Sequence, residues 1–222
     1  SGLECPDIWL GPGVNHGQLV ITAGQGADPY SGALSLVASA NGLTPQPVNS
    51  GTVVRAGRPS GWSRLTDEIP LAVPGASPLQ VTADGHETRV HHLYGELKVR
   101  HAPGGVLDVA VTVNRRDPNH RAPVELIGVG VPPQIANQTA TIPAEKDKGY
   151  ISFYLPPSLS PGRYTLGLRA RTTVPTADGK KSEGITVFTN PVVFDVHAPV
   201  FQVALDPYNP TTIQRGKIVQ IK

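Results

Sequence analysis

A single cysteine, Cys5, stands among 222 residues, so no disulfide can form within the chain. Glu4 directly precedes Cys5, which argues against a lipoprotein cleavage site and leaves a free or packed thiol, with an intermolecular bond or pairing with a cysteine upstream of this sequence as the alternative. Methionine is absent and the chain opens at Ser1, which is expected of a mature, processed or excised piece of a longer polypeptide. No apolar run approaches the roughly 18 residues of a spanning helix, so no membrane span is expected. Charged residues are scarce at 16%, and the net charge of +2 is too small to draw the chain to nucleic acid. Aromatics make up only 5%, so no stacking surface stands out. Four signatures are also missing: a G-x-S-x-G elbow, an H-E-x-x-H metal helix, a phosphate loop and a G-x-G-x-x-G turn. Their absence argues against an enzyme.

What is abundant is punctuation. Gly 24 and Pro 23 break the chain into short runs of Val, Thr and Leu, spaced as in all-β proteins. The clearest run is residues 160–168, Ser-Pro-Gly-Arg-Tyr-Thr-Leu-Gly-Leu. A Pro-Gly turn feeds a tyrosine, and Tyr164, Leu166, Leu168 and Ala170 then alternate with Thr165, Gly167, Arg169 and Arg171. This is the period of a strand with one dry face. A tyrosine entering a late strand just after a turn resembles the tyrosine corner of immunoglobulin-like sandwiches. The same parity places Leu107, Val109, Val111, Ile151, Phe153, Tyr164, Leu166 and Leu168 in one core.

Four regions are expected. Residues 1–13 form an N-terminal arm whose Trp9 docks on the first module. Residues 14–88 form a first β-sandwich-like module, with strands at 16–24, 33–40, 51–55, 64–73 and 77–83. Residues 89–197 form a second module, with strands at 93–100, 106–114, 124–131, 139–143, 150–155, 163–173 and 184–196. Asp178-Gly179 marks the tip of its last hairpin. Residues 198–222 begin a third module or a strand-exchanging tail, because residues 215–221 repeat the form of residues 103–109. Too short to bury a core, this tail is expected to pair with the second module or with another subunit.

The stretches Gly-Val-Gly-Val-Pro-Pro (128–133), Tyr-Ile-Ser-Phe-Tyr-Leu-Pro (150–156), Ser-Pro-Gly-Arg-Tyr-Thr-Leu (160–166) and Ile-Gln-Arg-Gly-Lys-Ile-Val (213–219) carry a wider resemblance. Residues 93–222 resemble the tandem immunoglobulin-like β-sandwich regions of large exported bacterial proteins of planctomycete type. The resemblance implies an all-β fold of tandem sandwich modules without a disulfide. It also implies export to the cell surface, periplasm or extracellular space, and a structural or adhesive task.

Arg115, Arg116, His120 and Arg121 form the densest basic stretch, read as a solvated loop because no aromatic is interleaved. His91, His92 and His101 are the best metal candidates, but His91 and His92 alternate faces on a strand and only one of them can join His101. Asp28, Asp67, Asp84, Asp117, Asp147, Asp178 and Asp206 are each nearly alone, short of the carboxylate cluster that calcium needs, although a calcium site between modules stays open. Asn137-Gln138-Thr139 matches a glycosylation sequon and is read as a turn before a strand. His101 and Asp108 are expected to lack nucleophile–base geometry. No catalytic, cofactor-binding or metal residue is therefore assigned, and no cofactor. The expected function is a non-catalytic structural or interaction module, with other domains or subunits as partners through β-edges. The alternative is a carbohydrate-binding accessory region of a secreted enzyme, with a glycan as ligand. Against it, Tyr154 has outward parity but no aromatic row accompanies it.

Overall fold

The computed structural model describes residues 2–24, 27–40, 42–53, 63–66, 69–73, 77–85, 89–92, 95–98, 100–117, 120–176 and 181–199; at 50–53, 63–66, 69–70, 72–73, 89–92 and 95–98 it describes the backbone alone. Every regular element among these residues is a β-strand, and the strand ladders are antiparallel. The protein is all-β, and its lone cysteine, Cys5, is exposed and free.

The early strands are short: β1 (Leu3–Glu4), β2 (Thr22–Ala23), β3 (Tyr30–Leu34), β4 (Val37–Ala38), β5 (Gln46–Pro47), β6 (Ser50–Val53), β7 (Ser63–Thr66) and β8 (Ile69–Val73). They join in pairs only, β1 with β2, β3 with β8, β4 with β5 and β6 with β7. The long strands all come later, in the series β9 (Leu79–Asp84), β10 (Arg89–His92), β11 (Gly95–Lys98), β12 (Val106–Arg115), β13 (Val124–Val129), β14 (Thr139–Ile142), β15 (Lys148–Tyr154), β16 (Gly162–Pro175), β17 (Ser182–Phe188) and β18 (Val192–Val196).

Two sheets carry the core. One has the order β15-β12-β9; the other runs β14-β13-β16-β17, with β18 also on β16. Leu79, Val81, Leu107, Val109, Val111, Ile151 and Phe153 of the first sheet join Val124, Leu126, Ile142, Tyr164, Leu166, Leu168, Val192 and Phe194 of the second in one buried cluster. All eight residues expected from parity to share a core lie in it, none more than 2% exposed. The alternation along β12 is the reason: Leu107, Val109, Val111 and Val113 point inward, while Val106, Asp108, Thr112 and Asn114 are exposed. Gly104, at φ +84°, makes the turn into β12 and donates its N–H to Leu155 O at 2.7 Å.

Four expectations are corrected. Residues 77–83 were expected to close the first module, yet β9 pairs with β12 from Ala110↔Asp84 to Arg115↔Leu79. Its alternating Leu79, Val81 and Ala83 bury against the later strands, so the boundary at residue 88 cuts through a sheet. Residues 93–100 were expected as the second module's first strand; instead β11 folds back on β10 as a hairpin between β9 and His101. Of residues 16–24, only Thr22 and Ala23 are in a strand; Gln18 lies against Gly130 and the preceding Val14 packs on the shared core, so this arm runs on the later strands. Trp9, 48% exposed, also meets these strands and not the first module: its backbone N–H donates to Thr165 Oγ1 at 2.7 Å and its ring lies beside Arg163, while Gly11 lies so close to the Tyr164 ring that a side chain would collide. The Asp178-Gly179 tip and the tail from residue 200 onward lie outside the described residues, although Thr176 N still bonds Lys181 O across the tip.

Candidate interaction edge

The sheet β15-β12-β9 has two outer strands, and the chain treats their free edges differently. In an antiparallel pair, alternate residues turn their N–H and C=O toward the neighbour or away from it. Arg116 N donates to Pro78 O, in register with Asn114↔Gln80 and Thr112↔Thr82, so even-numbered residues of β9 face β12. Leu79, Val81 and Ala83 therefore face outward. Two of these three are capped by side chains. Ser77 Oγ donates to Leu79 O at 2.8 Å and accepts from Leu79 N at 3.3 Å. Asn190 Oδ1 accepts from Ala83 N at 2.9 Å, and its Nδ2 donates to Ala83 O at 2.9 Å. The Asn190 amide thus stands in for a strand.

A bulge delivers that amide. Arg169 faces Phe188 and Leu166 faces Val192, so four steps on one strand match three on the other. The extra residue lies among Thr189, Asn190 and Pro191, where Pro191 has no N–H to contribute to a ladder. Thr189 anchors the bulge: its Oγ1 accepts from Leu168 N at 3.1 Å and donates to Asn190 O at 2.9 Å.

At the opposite edge, β15 is uncapped among the described residues. Val113 N donates to Asp147 O and Leu155 N to Gly105 O, so odd-numbered residues of β15 bond β12. The peptide groups of Lys148, Tyr150, Ser152 and Tyr154 point to the open side, and among the described strands β15 pairs with β12 alone. The same four residues carry the strand's outward side chains. Tyr150 is 70% exposed and Tyr154 51%, on one face about 13 Å apart at roughly 3.3 Å per residue. Ser152 Oγ donates to Asp108 between them, and exposed Val106 faces Tyr154. The sequence reading credited Tyr154 alone with outward parity; Tyr150 shares it, being four residues away on the same strand.

The basic stretch divides. Arg116 and Arg121 are exposed, as a solvated loop requires, but His120 is 1% exposed and the Arg115 side chain 6%. The Arg115 guanidinium donates to Ala122 O at 3.0 Å, Lys146 O at 3.2 Å, Asp147 Oδ1 at 3.2 Å and His120 Nδ1 at 2.9 Å. A guanidinium has no acceptor, so His120 Nδ1 accepts and the ring proton sits on Nε2, 3.0 Å from both Thr172 Oγ1 and Thr173 O. Burial, with the neighbouring Arg115 charge, lowers the His120 pKa below its ordinary value. The stretch is a structural knot tying β12, β16 and the loop after β14. Sequence reasoning missed this because Thr172 and Thr173, the partners of His120 Nε2, lie more than 50 residues away.

The other candidates separate. His101 is buried, its Nε2 3.1 Å from Gly85 O, and it makes a parallel bridge to Val196. It lines a cleft of about 540 Å³ with Asp84, Arg163, Asn190 and Asp195. The side chains of His91 and His92, and all of Asp67, Asp178 and Asp206, lie outside the described residues. Among the described residues no three of His, Cys, Asp and Glu are placed to hold a metal ion. Asp108 meets Ser152 rather than a histidine. Asn137 makes a turn before β14, its Nδ2 donating to Gly128 O and its Oδ1 accepting from Gln138 N. Arg163 holds Asp195 through two bonds, 2.8 and 3.1 Å, and lies 5.1 Å over the Trp9 ring.

No protein-family model matches the chain, and no curated protein is found to be similar to it. Among the described residues no helix is long and apolar enough to cross a membrane.

Proposed function

We propose that the chain is a non-catalytic structural and interaction module of an exported multidomain protein, built on an immunoglobulin-like β-sandwich and associating through a sheet edge. Three features support the sandwich. Strands β15-β12-β9 and β14-β13-β16-β17 contribute to one core, Tyr164 O–H reaches back to Ser160 O, and β18 meets His101 in parallel. The observation that carries the interaction reading is the unequal treatment of edges. One outer strand is capped by Ser77 and Asn190, and the other presents four residues of backbone unpaired among the described residues. An open edge is a template for another strand. The buried histidines favour a non-catalytic role, since His101 and His120 use ring nitrogens to brace backbone and side chains of their own fold. The test is sedimentation of the full chain from low to high micromolar concentration. Concentration-dependent association is expected; a monomer throughout overturns the reading.

A second reading, a glycan-binding accessory module, is favoured by one observation: Tyr150 and Tyr154 lie exposed on one face with the Ser152–Asp108 pair between them. Retention in gels containing soluble polysaccharides, lost in Tyr150→Ala and Tyr154→Ala, would establish it.

A further inference from the structure

We propose that the partner of β15 is β15 of a second copy, joined antiparallel about a two-fold axis at Ser152. This rests on the reading of the chain as a self-associating module and names the site and register.

The composition of the edge is the first argument. Residues 149–155, Gly-Tyr-Ile-Ser-Phe-Tyr-Leu, contain no charge and no proline. Edge strands that must stay single carry lysine, proline, a bulge or a cap, and this chain uses the cap on β9. On β15 such residues stand only at the ends, Lys146-Asp147-Lys148 before and Pro156-Pro157 after. They confine pairing to the uncharged stretch.

Symmetry supplies the second argument. A two-fold contact must be self-complementary, residue i meeting j while j meets i. Only even-numbered residues of β15 offer backbone groups to the open side, so even must face even. Centring on Ser152 sets Tyr150 against Tyr154 of the second copy, twice, with the two Ser152 residues facing at the axis. Aromatic pairs across a ladder stabilise it, and both rings are already exposed there. Lys148 falls opposite Pro156, so no like charges meet. A shift by one pair sets Lys148 against Tyr154 and splits the tyrosines.

The experiment uses the full chain and reads dimer dissociation by sedimentation. Ser152→Pro removes an N–H that faces the open edge rather than β12, a position where proline is tolerated. It is expected to abolish dimers, with near-ultraviolet circular dichroism checking the fold. Tyr150→Lys with Tyr154→Lys sets lysine against lysine at both pairs and should weaken the dimer at least about tenfold. Tyr150→Glu with Tyr154→Lys sets glutamate against lysine and should restore association to within about threefold of the wild type. These two variants change exposed side chains only, so they carry the test if the proline variant fails to fold. A wild-type dimer unmoved by Ser152→Pro and by the double lysine overturns the β15 assignment while leaving self-association standing. Failure of the glutamate–lysine variant to restore the dimer overturns the register and the proposal with it. A wild type monomeric throughout, retained by polysaccharide through its tyrosines, overturns both and gives the face to a glycan.

Discussion

The Tyr164 hydroxyl donates to the Ser160 carbonyl at 2.7 Å, folding the turn before β16 back onto the first buried ring of that strand. The ring stacks on Phe194 of β18 with centroids 5.8 Å apart, and Gly11 of the N-terminal arm lies against it. One side chain therefore joins the turn, β18 and the arm. Tyr164→Phe keeps the stacking and deletes the bond, so urea unfolding should register a loss of about 1 kcal/mol. Burial also raises the Tyr164 pKa above its ordinary 10.0. Above pH 10 the unfolded chain sheds this proton first, so the stability carried by the buried phenol declines with rising pH, and Tyr164→Phe should lack that part of the decline.

Phe153 is fully buried and faces Leu107 in the β12–β15 ladder, at the centre of the cluster that both sheets share. Phe153→Ala should destabilise the fold by about 3–5 kcal/mol. Calorimetry checks this; a loss below about 1 kcal/mol would mean that the second sheet does not pack on that ring.

Periodicity reveals faces but not neighbours. The run from Tyr164 to Ala170 and the alternation in β12 made the core legible, because a period of two fixes which side chains turn inward whatever the pairing. The pairing itself was not legible. Leu79, Val81 and Ala83 alternate as well as any strand, and nothing local says that they bond β12 across an inserted hairpin rather than the short strands before them. The same limit hid Asn190, which reads as a turn residue until the bulge aims it at Ala83, 107 positions away. The open edge of β15 was half visible: its uncharged stretch is in the sequence, but its terminal place in the sheet is a property of topology.

His120 gives the fold a pH dependence of definite sign. Burial, aided by Arg115, holds its pKa below the ordinary 6.5 of the unfolded chain. Between the lowered value and 6.5 the unfolded chain binds more protons, so stability falls as pH drops through that window and is fully present above it. Protonation would also cost Nδ1 its role as acceptor from Arg115. The stability gap between wild type and His120→Gln should narrow between about pH 7 and pH 5. A gap constant over that range would mean that His120 does not titrate differently on folding.

Asn190→Ala tests whether the β9 edge is held by its cap. The substitution deletes both bonds to Ala83, each 2.9 Å, and leaves the bulge anchored by Thr189. The expected loss is about 1–3 kcal/mol, the range for stripping a partly buried peptide group of its partners. Hydrogen exchange locates it: the Ala83 amide should lose protection, while the Val111 and Val113 amides on the far side of β12 should change only as much as global stability does. The variant should also gain a second sticky edge, and with it a tendency to associate beyond dimers that Ser152→Pro does not remove. An Ala83 amide as protected as in the wild type would show that Asn190 rests on the edge without closing it.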